Sequence, residues 1–290
     1  MSVTAPPRID PATSMGRVRL RAADAERQRD FYERAIGLRP LARDGDTVTL
    51  GPDGGPAVVE LVSSPDAPPR PPDTSGLFHL AILVPTRPDL ARALRRVVDA
   101  GWRLTGASDH LVSEALYLDD LEGNGIEIYR DRPRAEWRYD GGQLQMATLP
   151  LDLESLLAEL GEDGSGDMPP GTRIGHTHLN VASIGDSERF YVGGIGFDPT
   201  VRGYPGALFV SAGGYHHHLG LNTWAGEGAP AAPPGARGLD WFEVVLPDAD
   251  ALARTRERLG SSDVALEERE QGLVAVDPSG NRTLLSAAGS

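Results

Sequence analysis

Asp30-Phe31-Tyr32-Glu33-Arg34-Ala35-Ile36-Gly37-Leu38 returns 159 residues later as Arg189-Phe190-Tyr191-Val192-Gly193-Gly194-Ile195-Gly196-Phe197. Asp120-Leu121-Glu122-Gly123-Asn124 likewise returns as Asp277-Pro278-Ser279-Gly280-Asn281 after 157 residues, and Leu90-Ala91-Arg92 as Leu252-Ala253-Arg254 after 162. Three motifs repeating at nearly one offset mark a duplication. The chain therefore reads as a first half at 1–145, a connector at 146–173 and a second half at 174–290. Proline-rich stretches at 64–76 and 225–238 divide each half again, because such segments favour extended linkers. Four modules result, at about 16–63, 77–130, 174–224 and 239–286. Each shows a short alternating strand, an amphipathic helix and further short strands separated by Gly, Asp and Pro turns, which predicts an α+β fold. The Asp-x-x-Gly-Asn sequences predict tight hairpin turns, since Gly and Asn tolerate positive φ. In the connector, Asp152 can cap a short helix that carries Leu153, Leu156, Leu157 and Leu160 on one face.

The chain has 290 residues, 40% of them apolar, enough to bury a sizeable core. Its net charge of -14 repels nucleic acid and anionic membrane surfaces over most of the molecule. No stretch reads as a signal peptide or a membrane span, so the expected location is cytoplasmic. There is no cysteine, so any metal must be held by His, Asp and Glu. The seven histidines fall in three places: His79 with His110, then His176 and His178, then His216 to His218. That clustering points to a site.

The Phe-Tyr-x-x-x-Ile-Gly-Leu helix and the closing Asp-x-x-Gly-Asn turn resemble the vicinal oxygen chelate superfamily of glyoxalases, bleomycin-resistance proteins and extradiol dioxygenases. The stretches 106–118, 123–129 and 213–224 are similar to its catechol 2,3-dioxygenase-like branch, and the likeness covers about 16–286. The resemblance implies four βαβββ modules forming two open, curved mixed β-sheet cups, with metal ligands on first and last strands. Those positions hold Arg19 and Glu60 in module one, and His79 and Glu127 in module two. They hold His178 and the run His216 to His218 in module three, and Trp241 and Leu284 in module four.

The resemblance thus assigns the metal to His79, His178 and Glu127, two imidazoles and a carboxylate that leave three positions on Fe(II) for a catecholate and O2. Mn, Ni and Zn are alternatives to Fe(II). It assigns catalytic roles to Tyr117, ten residues before Glu127, to His110, and to His216 or His218. The last two share a strand face, with His217 on the other. Pairing modules one with two and three with four is common in the superfamily, but it would split this ligand set. Nested pairing, two with three and one with four, collects it. The nested pairing also leaves Arg19, Glu60, Trp241 and Leu284 in a metal-free cup, with Arg19 and Glu60 as an ion pair.

The implied activity is Fe(II)-dependent extradiol cleavage of a catechol-type aromatic diol by O2. Two other activities fit the superfamily. One is a glyoxalase- or epimerase-type lyase or isomerase on Ni(II), Zn(II) or Co(II), which a fourth ligand such as His218 would favour. The other is metal-free binding of an aromatic or antibiotic molecule. The expected partners are a small aromatic substrate and O2, with no nucleic acid and no membrane; a homo-oligomer is compatible with the sequence.

Overall fold

The computed structural model describes residues 8–161, 166–260 and 264–289. The parts of the expected halves and connector at 1–7, 162–165, 261–263 and 290 lie outside the described residues. Module one runs β1 (Ser14–Ala22), α1 (Ala25–Phe31), β2 (Arg39–Asp44), β3 (Thr47–Gly51) and β4 (Val59–Ser63). Module two runs β5 (Gly76–Leu83), α2 (Arg87–Asp99), β6 (Gly106–Asp109), β7 (Ser113–Asp119) and β8 (Gly125–Asp131). The connector carries the short strands β9 (Tyr139–Asp140), β10 (Gln143–Leu144) and β11 (Leu149–Pro150), then α3 (Leu153–Leu157). Module three comprises β12 (Arg173–Asn180), α4 (Ile184–Glu188), β13 (Asp198–Val201), β14 (Ala207–Ser211) and β15 (Leu219–Asn222). Module four comprises β16 (Gly238–Leu246), α5 (Ala249–Gly260), β17 (Leu266–Arg269), β18 (Gly272–Val276) and β19 (Arg282–Ala287).

Besides a two-stranded β9-β10 hairpin, two curled sheets result among the described residues, in the orders β17-β18-β19-β16-β1-β4-β3-β2 and β11-β6-β7-β8-β5-β12-β15-β14-β13. The first joins modules one and four, and the second joins modules two and three. The pairing is nested. In each module the first strand lies parallel to the last, and the sheets close where first strands meet antiparallel, β1 on β16 and β5 on β12. Period-two alternation decides what each sheet buries. Val18, Leu20, Leu80 and Ile82 enter one hydrophobic cluster shared by both sheets and the helices, while Arg19, His79 and Ala81 stand on the opposite, concave faces.

The repeated motifs act together. The helix of each half widens into a π turn, Tyr32–Ile36 or Arg189–Ile195, and stops at a left-handed glycine, Gly37 (φ 87°) or Gly196 (φ 101°). The buried Tyr191 hydroxyl then donates to Asp277 Oδ2 at 3.0 Å, and Tyr32 approaches Asp120 Oδ2 at 3.4 Å. Each aspartate also accepts backbone N–H groups of its own turn and the side-chain amide of Asn124 or Asn281. The turn asparagines are therefore hydrogen-bond partners. Only Gly123 and Gly280 take positive φ there, which corrects the expectation that Asn would do so too. Asp152 caps α3 as expected, its carboxylate accepting Ser155 N–H at 2.9 Å.

The cup of modules one and four is filled. Glu60 accepts from Arg19 at 2.9 Å and lies 3.0 Å from Arg17, both guanidinium groups stand over the Trp241 ring, and Trp241 packs on Val274 and Leu284. No helix among the described residues is long and apolar enough to cross a membrane.

Candidate active site

The cup of modules two and three holds a cavity of about 520 Å3. Cross-strand register explains its chemistry. One row across the sheet reads Tyr117, Glu127, Ala81, His176, and the next reads Gly125, His79, His178, Gly220. In the first row the small Ala81 separates Glu127 from His176, so both side chains lean over it toward the tip of His79. Glu127 Oε2 lies 3.0 Å from His176 Nε2 and 3.0 Å from His79 Nε2, and the two imidazole nitrogens are 3.4 Å apart. All three residues are buried, and together they form a group able to hold a metal ion.

The ligand expectation is thereby altered at one position: His176, not His178, completes the group with His79 and Glu127. His178 is the direct cross-strand neighbour of His79, with ring centroids 4.9 Å apart. Its ring lies over Gly220, where a Cβ would come within 2.7 Å of it, and it packs against Phe78, Trp224 and Phe209. Its Nε2 is buried with no hydrogen-bond partner among the described residues. A β-bulge between Ile174 and His176 turns both histidines of β12 into the cup, and sequence alternation alone could not choose between them.

The donor set fits a divalent ion. Two ligand atoms at about 2.1 Å from an ion and at right angles stand about 3.0 Å apart, close to the spacing found here. Burial pushes the His176 imidazole down to about 4, keeping it neutral with a lone pair to offer. Burial works to raise the Glu127 carboxyl, but His176 and His79 outweigh it and hold the group well below the usual carboxylate range. Two imidazoles and one carboxylate on one face leave the cavity side open, as in facial-triad iron sites.

Around this group the expected catalytic residues separate. Tyr117 faces the cavity beside Glu127, and burial, then the Glu127 charge, raise its phenol well above the ordinary value. Its oxygen is 2.7 Å from His110 Nε2, and His110 Nδ1 is 2.7 Å from the Ala147 carbonyl. A carbonyl only accepts, so Nδ1 carries a proton, and in the ring's neutral form Nε2 accepts from Tyr117. His110 is held by a hairpin turn in which Leu111 takes φ 68°.

His216 and His218 do not line the cavity; His217 does. The extended strand begins only at Leu219, and Gly213 (φ 60°) and Gly214 (φ 68°) bend the chain before it, so strand alternation does not run back through the triplet. His218 Nδ1 instead accepts Ala212 N–H at 3.1 Å, and His216 lies buried against Trp137 and Tyr215. His217 packs on the His176 ring at 4.1 Å between centroids, and burial with neighbouring imidazoles pushes it well below the ordinary histidine value. The sequence reading also missed Phe78, Trp224 and Ala147, because no periodicity distinguishes a cavity wall from a core.

Residues 14–128 match the family model for the Glyoxalase/Bleomycin resistance protein/Dioxygenase superfamily. A catechol-2,3-dioxygenase of Bacillus subtilis (strain 168) is 42% identical over 272 residues, covering 92% of this chain and 94% of the relative. The chain belongs to this superfamily. The identity places it in the catechol 2,3-dioxygenase-like branch. Among solved structures, a Bacillus subtilis protein provisionally described as a dioxygenase superposes with a TM-score of 0.68 at 12% identity, covering 98% of this chain and 87% of that one. Glyoxalase I from Zea mays superposes with a TM-score of 0.55 at 16% identity, covering 94% and 92%. At such identities the likeness is one of fold.

Proposed function

We propose that this superfamily member is an Fe(II)-dependent extradiol dioxygenase that opens the ring of a catechol-type diol with O2. The observation that carries the reading is the convergence of His79, His176 and Glu127 on one point of a cavity wall, with their open side toward aromatic residues. Iron bound there would supply adjacent positions for both reactants and a route for electrons between them. The 42% identical relative, a catechol-2,3-dioxygenase, supports the same reaction class.

The remaining steps fall to side chains. His217, neutral and facing the cavity, accepts the proton of a diol hydroxyl. Tyr117 keeps its own proton at neutral pH, so it serves as a hydrogen-bond donor to a substrate oxygen, exchanging that bond with the one it makes to His110. Phe78 and Trp224, 5.1 Å apart at the cavity wall, offer faces and edges that orient an aromatic ring. Burial excludes water from the reacting groups and strengthens these interactions.

The test is metal analysis of protein purified without oxygen, then loading with Fe(II) and addition of catechol in air. Stoichiometric iron with appearance of the yellow ring-opened product is expected. Tight binding of another metal with no oxygen consumption on any diol would refute the assignment.

A further inference from the structure

A hydrogen-bonded chain leads from His217 through residues that do not line the cavity. His217 Nδ1 is 2.7 Å from His216 Nδ1, and His216 Nε2 is 2.9 Å from Asp131 Oδ1. Tyr215 donates its hydroxyl proton to the same carboxylate oxygen at 3.1 Å, and the Tyr129 hydroxyl lies 2.7 Å from that of Tyr215. His216 is fully buried, while the Asp131 side chain is 27% exposed. These residues come from β8 and the 213–218 bend, so the chain ties the last strand of module two to module three.

We propose that Asp131 and His216 are positioning residues that fix the tautomer of His217, leaving its Nε2 lone pair for the cavity. An ionised carboxylate only accepts hydrogen bonds, so Asp131 requires a proton on His216 Nε2. In the neutral imidazole, His216 Nδ1 then carries a lone pair. The short contact between the two Nδ1 atoms needs one proton, and with His216 holding a single proton, on Nε2, that proton sits on His217 Nδ1. His217 Nε2 is therefore the acceptor. A base must present a lone pair, and a ring free to change tautomer would present N–H to the substrate for part of the time. When the diol O–H bond breaks and an N–H bond forms at His217 Nε2, the ring becomes a cation. It keeps its Nδ1–H bond to His216, with the Asp131 charge one ring further on.

This inference rests on His217 as the proton acceptor proposed above, but its test reads the ring directly. Histidine-15N-labelled protein loaded with Zn(II) as a diamagnetic stand-in gives the nitrogen shifts of each imidazole, and the His217→Gln spectrum assigns the resonances of His217. A pyrrole-type shift at His217 Nδ1 and a pyridine-type shift at Nε2 are expected. The reverse pattern in the wild-type protein overturns the proposal, whatever the variants do. His216→Phe should mix the two tautomers and, in the iron-loaded enzyme, lower kcat by about tenfold or more with metal content and KM retained. Asp131→Asn, which can still accept through its amide oxygen, should recover much of what Asp131→Ala loses. An unchanged His217 spectrum in His216→Phe also overturns the proposal. The expected tautomer in a protein that cleaves no diol would leave this inference standing and remove the proposed function instead.

Discussion

At the scale of single residues, the two histidines of β12 differ in a way that metal analysis can resolve. His79→Ala, Glu127→Ala and His176→Ala should each strip most of the bound iron, because a three-ligand site loses a third of its protein donors with any of them. His178→Ala should keep its iron and change the cavity wall only. Iron content measured on the four purified variants checks this, and loss of iron from His178→Ala with retention in His176→Ala would reverse the assignment. Tyr117→Phe should keep iron and lower kcat about ten- to a hundredfold, since a hydrogen bond to a charged oxygen contributes about 1 to 3 kcal/mol. Steady-state kinetics at full iron loading measure it, and unchanged kcat would return Tyr117 to a packing role.

At the scale of the elements, the site depends on what is small. Ala81 sits between Glu127 and His176 in one row of the sheet, and its methyl group leaves the space in which their tips meet. Ala81→Leu should therefore abolish tight iron binding while the far-ultraviolet circular dichroism stays native. Retained stoichiometric iron in that variant would show that the two ligands reach each other by another path. The repeated motifs work at this scale too. Asp277 anchors the Tyr191 hydroxyl and its own turn, so Asp277→Ala orphans several buried donors at once, each costing about 1 to 3 kcal/mol. A clear fall in Tm is expected, with the candidate metal group of modules two and three intact.

For the whole molecule, acid titration exposes how the buried histidines are held. Burial, then neighbouring charges, push the His218 imidazole from 6.5 down to about 3. As pH falls below 6.5 the unfolded chain gains a proton at this position that the folded protein does not accept. Its contribution to stability is thus fully present above pH 6.5 and is lost progressively as pH drops toward about 3. Metal-free protein should show a Tm that declines between pH 7 and 5, and His218→Gln should flatten that slope. An equal slope in both proteins would mean that other groups govern the acid response.

The duplication, the four modules and the connector helix were legible in the sequence because they rest on local patterns: repeated helix ends, turn aspartates and period-two alternation. The sequence leaves two module pairings open, and the nested one is preferred because it alone gathers the ligand set that the resemblance implies; the sheet order shows that pairing, while the role of Tyr117 rests on the resemblance. The choice of His176 over His178, and of His217 over its two neighbours, was decided by tertiary structure alone. A glycine bend before β15 resets which histidine of the triplet faces the cavity, whereas the β-bulge in β12 turns His176 and His178 to the same face and does not separate them. Whether two side chains then meet depends on the small residues between them, Ala81 in one row and Gly220 in the next, which lie far away in the chain.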